Sequence, residues 1–299
     1  MTFVRSAARV TDGGLETDLI YHRGLELADF AAFPLLEHDA GRGHLADYYG
    51  GYADVARRAG AALLLEAPTW RANPDWGARL GYDAGALRRA NTAAIAFLKD
   101  LRQQWPDIRD VAVSGVIGPR GDGYVAGDIP DTDEAADYHR PQIETFAAAD
   151  ADLVHAMTIT STAEAQGIIR AANDVGIPVA VSFTVEVDAT LPDGTALGEA
   201  IKKADAGGDA MFFGVNCAYP THIARGLSGQ SWQERIGVIR CNASSKTRAE
   251  LDAAEELDEG DIPGLRDAFG HLRAQLPRVH VIGGCCGTDA RHVAALWGL

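Results

Sequence analysis

Residues 279–288 read VHVIGGCCGT, and this stretch decides the fold that the rest of the chain must adopt. An apolar run that meets glycine is typical of a buried β-strand that feeds a turn. Cys285 and Cys286 stand side by side at the end of that strand. Adjacent cysteines rarely form a disulfide with each other, because a disulfide needs a Cα separation and a torsion that neighbours do not provide. The pair therefore suits a soft metal ion.

Cys217 closes a second run of the same kind. Residues 211–217 read MFFGVNC, and Cys217 lies 68 positions before Cys285 (285 − 217). The three cysteines can meet only if their strands lie side by side and run in the same direction. Three thiolates with one open position are the ligand set expected of catalytic zinc, at Zn–S distances of ~2.3 Å. The alternative is three apolar cysteines in a core. Cys241, the fourth cysteine, is interpreted as a plain buried residue.

Strand-like runs alternate with helical periodicity along the whole chain. The runs lie at 10–14, 61–66, 111–116, 151–157, 177–183, 211–217, 236–241 and 279–284, and the helical segments lie at 45–59, 76–105, 134–149, 163–175, 196–206, 263–276 and 289–297. This alternation favours a parallel sheet. Eight such units predict a single (β/α)8 TIM barrel over residues 1–299, with its active site at the C-terminal strand ends. An open doubly wound sheet is the alternative.

Two segments interrupt the regular repeat. A long loop rich in glycine, aspartate and proline occupies residues 118–132, after the third strand. A polar, acidic insertion occupies residues 243–261, after the seventh. Long loops of this kind in a barrel are functional or mobile. The insertion could also pack on a second copy of the chain, so a homo-oligomer is left open.

The charge balance excludes two classes of partner. The chain has 27 Lys+Arg against 42 Asp+Glu and a formal net charge of −15. Nucleic acids and anionic membranes both require basic patches. No stretch reaches the ~18 apolar residues of a membrane span, and the N-terminus lacks the apolar segment of a signal peptide. We therefore expect a cytoplasmic protein, in which four cysteines favour metal or catalytic use over disulfides.

Three motifs taken together resemble one known family. Residues 12–17 (DGGLET), 214–217 (GVNC) and 283–287 (GGCCG) resemble the signature motifs of the homocysteine S-methyltransferase family. Residues 182–184 (SFT) and 193–195 (DGT) extend the resemblance over nearly the whole chain. The resemblance implies a zinc-dependent (β/α)8 barrel of the EC 2.1.1 class that methylates a thiol. It also implies that Cys217, Cys285 and Cys286 hold the zinc ion.

Several polar residues follow predicted strands and are candidates for substrate binding. By the resemblance, the turn that contains Asp12, Gly13 and Glu16 closes over the amino acid substrate, although Asp-Gly-Gly is also ordinary turn chemistry. Glu66 ends an apolar run, where a carboxylate is costly unless it faces a polar cavity or a partner. Asn216 lies beside Cys217 and is predicted to line the site.

Met157 departs from the resembled pattern. The resemblance implies a glutamate there that holds the α-ammonium group of the substrate. One interpretation is that another carboxylate, such as Glu16, Glu66 or Glu186, takes over this role. The other is that the thiol acceptor lacks a free α-amino group, because methionine cannot pair with ammonium.

Arg71 and Arg120 are further departures, since the resembled family carries aromatic or uncharged residues there. Arginine suits a bidentate grip on carboxylate, sulfonate or phosphate, whereas a solvated surface position is the alternative for each. Trp70 and Trp76 could line the site of a cationic methyl donor, or they could pack a loop against the barrel.

We therefore predict a zinc-dependent S-methyltransferase that takes a methyl group from a small onium donor. The donor would be S-methylmethionine, S-adenosylmethionine or a betaine, since the barrel leaves no room for cobalamin or folate domains. The acceptor is a thiol, homocysteine by resemblance, and the product would then be methionine. One alternative is methyl transfer to or from a non-amino-acid thiol, and another is a non-catalytic zinc- or thiol-binding protein. A zinc hydrolase would need a general base near a metal-bound water.

Overall fold

Eight parallel strands close into one barrel in chain order. The computed structural model describes residues 7–123, 131–254 and 256–299. The strands are β1 (Arg9–Val10), β2 (Ala62–Glu66), β3 (Val111–Ile117), β4 (Leu153–Ile159), β5 (Val179–Phe183), β6 (Phe213–Ala218), β7 (Ile236–Cys241) and β8 (Val281–Gly284). β1 pairs with both β2 and β8, which closes the ring. The predicted (β/α)8 barrel is confirmed, and the open sheet is excluded.

Helices connect the strands and pack against them. They are α1 (Leu15–Thr17), α2 (Asp39–Ala59), α3 (Pro74–Arg79), α4 (Ala84–Gln104), α5 (Thr132–Ala148), α6 (Thr162–Val175), α7 (Leu197–Ala206), α8 (Pro220–Arg225), α9 (Arg248–Asp252), α10 (Ile262–Gln275) and α11 (Ala290–Leu296). A short π-helix follows α1 at Asp18–His22, and 3-10 turns lie at Ala28–Phe30, Phe33–Glu37 and Ser231–Arg235. Among the described residues, no helix is long and apolar enough to cross a membrane.

Local chemistry explains where the helices begin and end. α5 begins at Thr132 because the Asp131 side chain accepts hydrogen bonds from the backbone N–H groups of Asp133 and Glu134, both at 2.8 Å. This is the strong N-cap arrangement of an aspartate. α2 ends at Gly60, whose φ of 61° is the left-handed conformation that glycine adopts without strain. The segment predicted as one helix or a helix pair over 76–105 is a pair, α3 and α4.

The inward-facing side chains change character from one end of the barrel to the other. Side chains alternate between the two faces of a strand. Leu64, Leu153 and Val238 belong to one buried apolar cluster. The next side chains on the same face of β2, β4 and β7, two residues further along each strand, are polar and buried: Glu66, His155 and Arg240. The barrel thus has an apolar floor and a polar upper layer at its C-terminal end.

The described parts of the two interrupting segments lie at that C-terminal end. The loop after β3 is described at residues 118–123, while residues 124–130 lie outside the described residues. The polar insertion after β7 contains the short helix α9 and lines a cavity with Lys246, Leu251 and Leu257. The described residues of both segments therefore stand beside the strand ends where a barrel places its active site.

Close packing around Gly214 in β6 leaves little room for a side chain at this position. A Cβ there would meet the Val238 side chain, and it would lie 2.6 Å from the Ser182 hydroxyl and from the Val238 carbonyl oxygen. We expect Gly214→Ala to destabilise the protein by ~1–3 kcal/mol through overpacking. Gly43 in α2 is exposed with nothing within 4 Å of a Cβ, so Gly43→Ala should stabilise by ~0.5–1 kcal/mol. Urea unfolding midpoints compare the two, and equal midpoints would contradict the packing argument.

Candidate metal and substrate site

Three sulfur atoms meet at the C-terminal end of the barrel. The Sγ atoms of Cys217, Cys285 and Cys286 lie within 4.8 Å of one another. Those of Cys217 and Cys286 are 3.5 Å apart. The closure of the barrel explains this, because β6 and β8 flank β7 and run in the same direction. Cys241 ends β7 between them, is fully buried, and is not a member of the sulfur cluster.

Two residues at the site hold backbone conformations that side chains rarely adopt. Cys217 has a φ of 57° and Thr158 a φ of 61°. Strand pairing shifts register at both places. The Asn216 side chain connects the two places: its Oδ1 accepts from the Thr158 N–H at 2.7 Å, and its Nδ2 donates to Thr158 Oγ1 at 2.9 Å. Such strain persists where the surroundings over-determine it, typically at functional sites.

Crowding makes the thiols of Cys217 and Cys285 hard to ionise. Hydrogen bonds with Cys285 and Cys286 raise the pKa of the Cys217 thiol well above its usual value. For Cys285, the hydrogen bond with Cys217 lowers the pKa, but the hydrogen bond with Cys286 and burial outweigh it and raise the pKa to about 12. A divalent cation compensates such charge, and a thiol that coordinates it is deprotonated outright. The cluster therefore fits a soft divalent ion, for which sulfur is the preferred donor.

A buried arginine joins the strand ends beside the sulfur cluster. Nη1 of Arg240 lies 2.7 Å from Asp12 Oδ1 and 3.8 Å from Glu66 Oε1. Its Nε and Nη2 donate to the carbonyl oxygens of Gly284 and Gly13, both at 2.9 Å. Burial by itself would lower the pKa of Arg240, but the nearby carboxylates of Asp12 and Glu66 raise it. One guanidinium thus ties the ends of β1, β2 and β8 to β7.

The two carboxylate oxygens of Glu66 differ in their hydrogen bonding within the described structure. Its Oε1 accepts from Nδ1 of His155 at 2.8 Å, and His155 Nε2 lies 2.7 Å from the Ser182 hydroxyl oxygen. An ionised carboxylate only accepts, so Nδ1 of His155 carries the hydrogen. Oε2 of Glu66 is buried without a hydrogen-bond partner among the described residues. A buried acceptor left unpaired is costly, so this oxygen is available to a ligand.

An inner cavity opens on the sulfur cluster, and most of the predicted substrate residues line it. Its walls include Asp12, Gly13, Glu16, Glu66, Met157, Asn216 and the three cysteines, together with Trp70 and Arg240. Three carboxylates therefore face one arginine, which Asp12 already neutralises. The excess of negative charge favours a ligand that carries a cationic group.

Glu16 is the carboxylate of the inner cavity that has no ion-pair partner in the described part of the chain. It is half-buried and directly follows the turn that contains Asp12 and Gly13. Burial raises the pKa of Glu16 to about 7, and the nearby Cys285 and Asp12 act in the same direction. An ammonium group in the cavity would relieve this charge.

Arg71 and Arg120 do not line the inner cavity. Arg71 is buried rather than solvated, because its guanidinium stacks over the rings of Trp70 at 4.1 Å and Trp76 at 3.6 Å. Arg120 is exposed and pairs with Asp75 at 3.3 Å. Neither arginine therefore has a place in the function proposed below. Trp70 lines the cavity, whereas Trp76 packs on Arg71.

Sequence reasoning missed two residues of the polar layer, Arg240 and His155. Each stands inside an apolar strand, and each is buried. The sequence feature that could have indicated them is a charged or polar residue within an apolar run, because such a residue needs a buried partner. The same argument singled out Glu66, and Arg240 and His155 are the residues that its Oε1 faces.

The fold and the site define a barrel enzyme with a thiol-rich, metal-competent centre beside an acidic cavity. The chain belongs to the homocysteine S-methyltransferase family, whose family model matches residues 9–297. The members of that family are methyltransferases, and the described residues of this chain have the architecture of one. The resemblance seen in the sequence motifs is thereby confirmed.

Individual relatives are distant. Homocysteine S-methyltransferase 3 of Arabidopsis thaliana is 25% identical over 207 residues, which are 63% of this chain and 57% of that protein. The homocysteine S-methyltransferase of Escherichia coli (strain K12) is 26% identical over 301 residues, 95% of this chain and 93% of that protein. The metallated form of the Escherichia coli homocysteine methyltransferase MmuM has the same fold, with a TM-score of 0.76, 22% identity and coverage of 98% and 96%.

Removal of Arg240 should destabilise the barrel strongly. Arg240→Met would leave Asp12 and Glu66 buried without their cation, which typically costs ~3–5 kcal/mol. Arg266→Met is the control, because Arg266 is 56% exposed and pairs only with its neighbour Asp267 among the described residues. Its effect should stay within ~0.5 kcal/mol. Denaturant unfolding measures both, and an Arg240→Met protein as stable as the control would refute the role given to this network.

Proposed function

We propose that this protein is a zinc-dependent S-methyltransferase that moves a methyl group from an onium donor to the thiol of homocysteine. The main support is that the inner cavity opens on the three-sulfur cluster and is lined by more carboxylates than cationic side chains. A thiol placed at the sulfur cluster would have its cationic head group among those carboxylates. The names of the relatives support homocysteine as the acceptor.

Cys217, Cys285 and Cys286 would hold the zinc ion. Zinc would supply the charge that keeps a substrate thiol ionised at neutral pH, where a free thiol with a pKa of ~8.5 is mostly protonated. The chain itself orients the ligands: Asn216 Nδ2 donates to Cys285 Sγ at 3.8 Å and to Thr158 Oγ1 at 2.9 Å. Hydrogen bonds of this kind hold metal ligands in place.

Glu16 and the free oxygen of Glu66 are the proposed partners of the α-ammonium group. Asp12 is already paired with Arg240, so it has little charge left to offer. Glu16 has no partner and Glu66 Oε2 is unpaired among the described residues, so both can accept from an ammonium donor. Met157 lines the same cavity and offers an apolar surface to the methylene groups of the acceptor. This arrangement favours the interpretation in which another carboxylate takes over from position 157.

A second candidate keeps the zinc ion and changes the acceptor. Met157 is buried against the inner cavity and carries no charge. If its apolar side chain dominates recognition, the acceptor is a thiol without an α-amino group. Comparison of homocysteine with 4-sulfanylbutanoate, which differs from it by the amino group alone, separates the two candidates.

Metal content and activity should depend on Cys217 and not on Cys241. Cys217→Ser removes one of three sulfur ligands, so bound zinc should fall well below one equivalent and methyl transfer should be lost. Cys241→Ser is the matched control, because Cys241 is a buried cysteine of the adjacent strand outside the sulfur cluster. Elemental analysis and mass spectrometry of products measure the two properties. A Cys217→Ser protein with full zinc and full activity would overturn the proposed function.

Glu16 should govern recognition of the amino group. Loss of one hydrogen bond to a charged group costs ~1.5–3 kcal/mol, so Glu16→Gln should raise the KM for homocysteine about 10- to 100-fold. Its effect on 4-sulfanylbutanoate, which lacks the ammonium group, should be small. Glu26→Gln is the control, because Glu26 is exposed. Equal use of both thiols by the unaltered protein would favour the second candidate instead.

A further inference from the structure

A second, outer cavity also reaches the sulfur cluster. Thr17, Phe30, Cys217 and Cys286 line both cavities, so the two share a wall at the proposed metal position. The outer cavity extends from there between the loops that follow β5, β6 and β7. Transfer of a methyl group between two molecules needs space for both, with the methyl group in line between donor and acceptor atoms. The inner cavity is given to the acceptor, so the outer cavity is free for the donor.

The outer cavity carries an unneutralised negative charge. Its lysine, Lys246, is already paired with Asp258 at 2.8 Å. Glu186 is half-buried in the cavity wall, and its carboxylate has no partner among the described residues. Backbone hydrogen bonds fix this glutamate in a tight turn: its N–H donates to Thr190 O at 2.8 Å, and its carbonyl oxygen accepts from Ala189 N at 2.9 Å. An unpaired carboxylate carried on this fixed part of the cavity wall favours a cationic ligand.

Aromatic side chains complete the outer cavity. Phe30 and Tyr219 are half-buried in its wall. The face of an aromatic ring attracts cations, and it attracts quaternary ammonium groups in particular because they have no hydrogen to donate. Phe30 lies at the junction with the inner cavity, and Tyr219 follows Cys217 by two residues. The rings therefore stand close to the sulfur cluster, where the methyl group must be delivered.

We propose that the outer cavity is the methyl-donor site, with Glu186, Phe30 and Tyr219 as the residues that recognise the onium charge. This inference rests on the function proposed above. In the transfer, the acceptor sulfur forms a bond to the methyl carbon while the bond from that carbon to the donor heteroatom breaks. The electron pair of the broken bond stays on the donor, whose positive charge disappears, and the thiol proton leaves to solvent when the acceptor ionises. The spent donor then lacks the charge that bound it, which favours its release.

Separate Michaelis constants for the two substrates test the assignment. Glu186→Gln should raise the KM for S-methylmethionine, S-adenosylmethionine or glycine betaine, whichever the protein uses, by at least tenfold. The KM for homocysteine should stay within twofold. Glu144→Gln, at an exposed position of α5, is the control and should change neither constant. Tyr219→Leu should raise the donor KM severalfold, and Tyr219→Phe, which keeps the ring, should restore it.

A binding measurement keeps the test independent of turnover. Calorimetric titration of the unaltered protein should show tighter binding of S-methylmethionine than of methionine, which lacks the second S-methyl group and with it the onium charge. Glu186→Gln should remove that difference. Absence of methyl transfer from every donor would defeat the proposed function, while the titration would still report on the cavity. Donor KM values and binding in Glu186→Gln that match those of Glu144→Gln would overturn the assignment of the outer cavity.

Discussion

The buried ion pair between Arg240 and Asp12 is the interaction on which the upper end of the barrel depends. The guanidinium contacts residues at the ends of β1, β2 and β8 while it stands on β7. A charge in a low-dielectric interior persists only if it is paired and hydrogen-bonded. This requirement holds the strand ends in one arrangement, and the two strands that carry the site cysteines flank Arg240 on either side.

The three carboxylates of the inner cavity differ in how far the polar layer already engages them. Asp12 serves the structure, because it pairs with Arg240 and accepts from the Tyr48 hydroxyl at 3.0 Å. Glu66 is shared, with Oε1 held by His155 and Oε2 unpaired among the described residues. Glu16 takes part in no such network among the residues that the structure describes. Carboxylates that look alike in a sequence therefore differ in the charge that each can offer to a ligand.

The backbone beside the sulfur cluster is strained at Cys217 and Thr158. A left-handed conformation at Cys217 turns its side chain where an ordinary strand residue would not reach. Asn216 on β6 helps to stabilise the corresponding conformation of Thr158 on β4. The local energy cost of these conformations is offset by the packing of the closed barrel. Two adjacent cavities then meet at a wall formed partly by Cys217 and Cys286.

Much of this architecture could be predicted from residue patterns. The apolar runs before Cys217 and Cys285 marked two strands, and the alternation of runs and helices predicted the barrel. The exact helix limits were harder to predict, because apolar periodicity does not mark the polar first turn of a helix: α5 begins at Thr132, two residues before the predicted start at 134. The burial of Arg71 could not be predicted, since it depends on two tryptophans that lie against its guanidinium only in the folded loop.

The sequence by itself determined the fold class and the identity of the three sulfur residues, because periodicity and motif spacing are local properties of the chain. Only the tertiary structure decided which charges remain available. Arg240 is distant in sequence from both Asp12 and Glu66, yet it pairs with Asp12 and lies 3.8 Å from Glu66. Within the described part of the chain, Glu16 and Glu186 are left without ion-pair partners, and they face different cavities. The physical reason is that pairing of buried charges depends on distances across the barrel, which the order of residues does not contain.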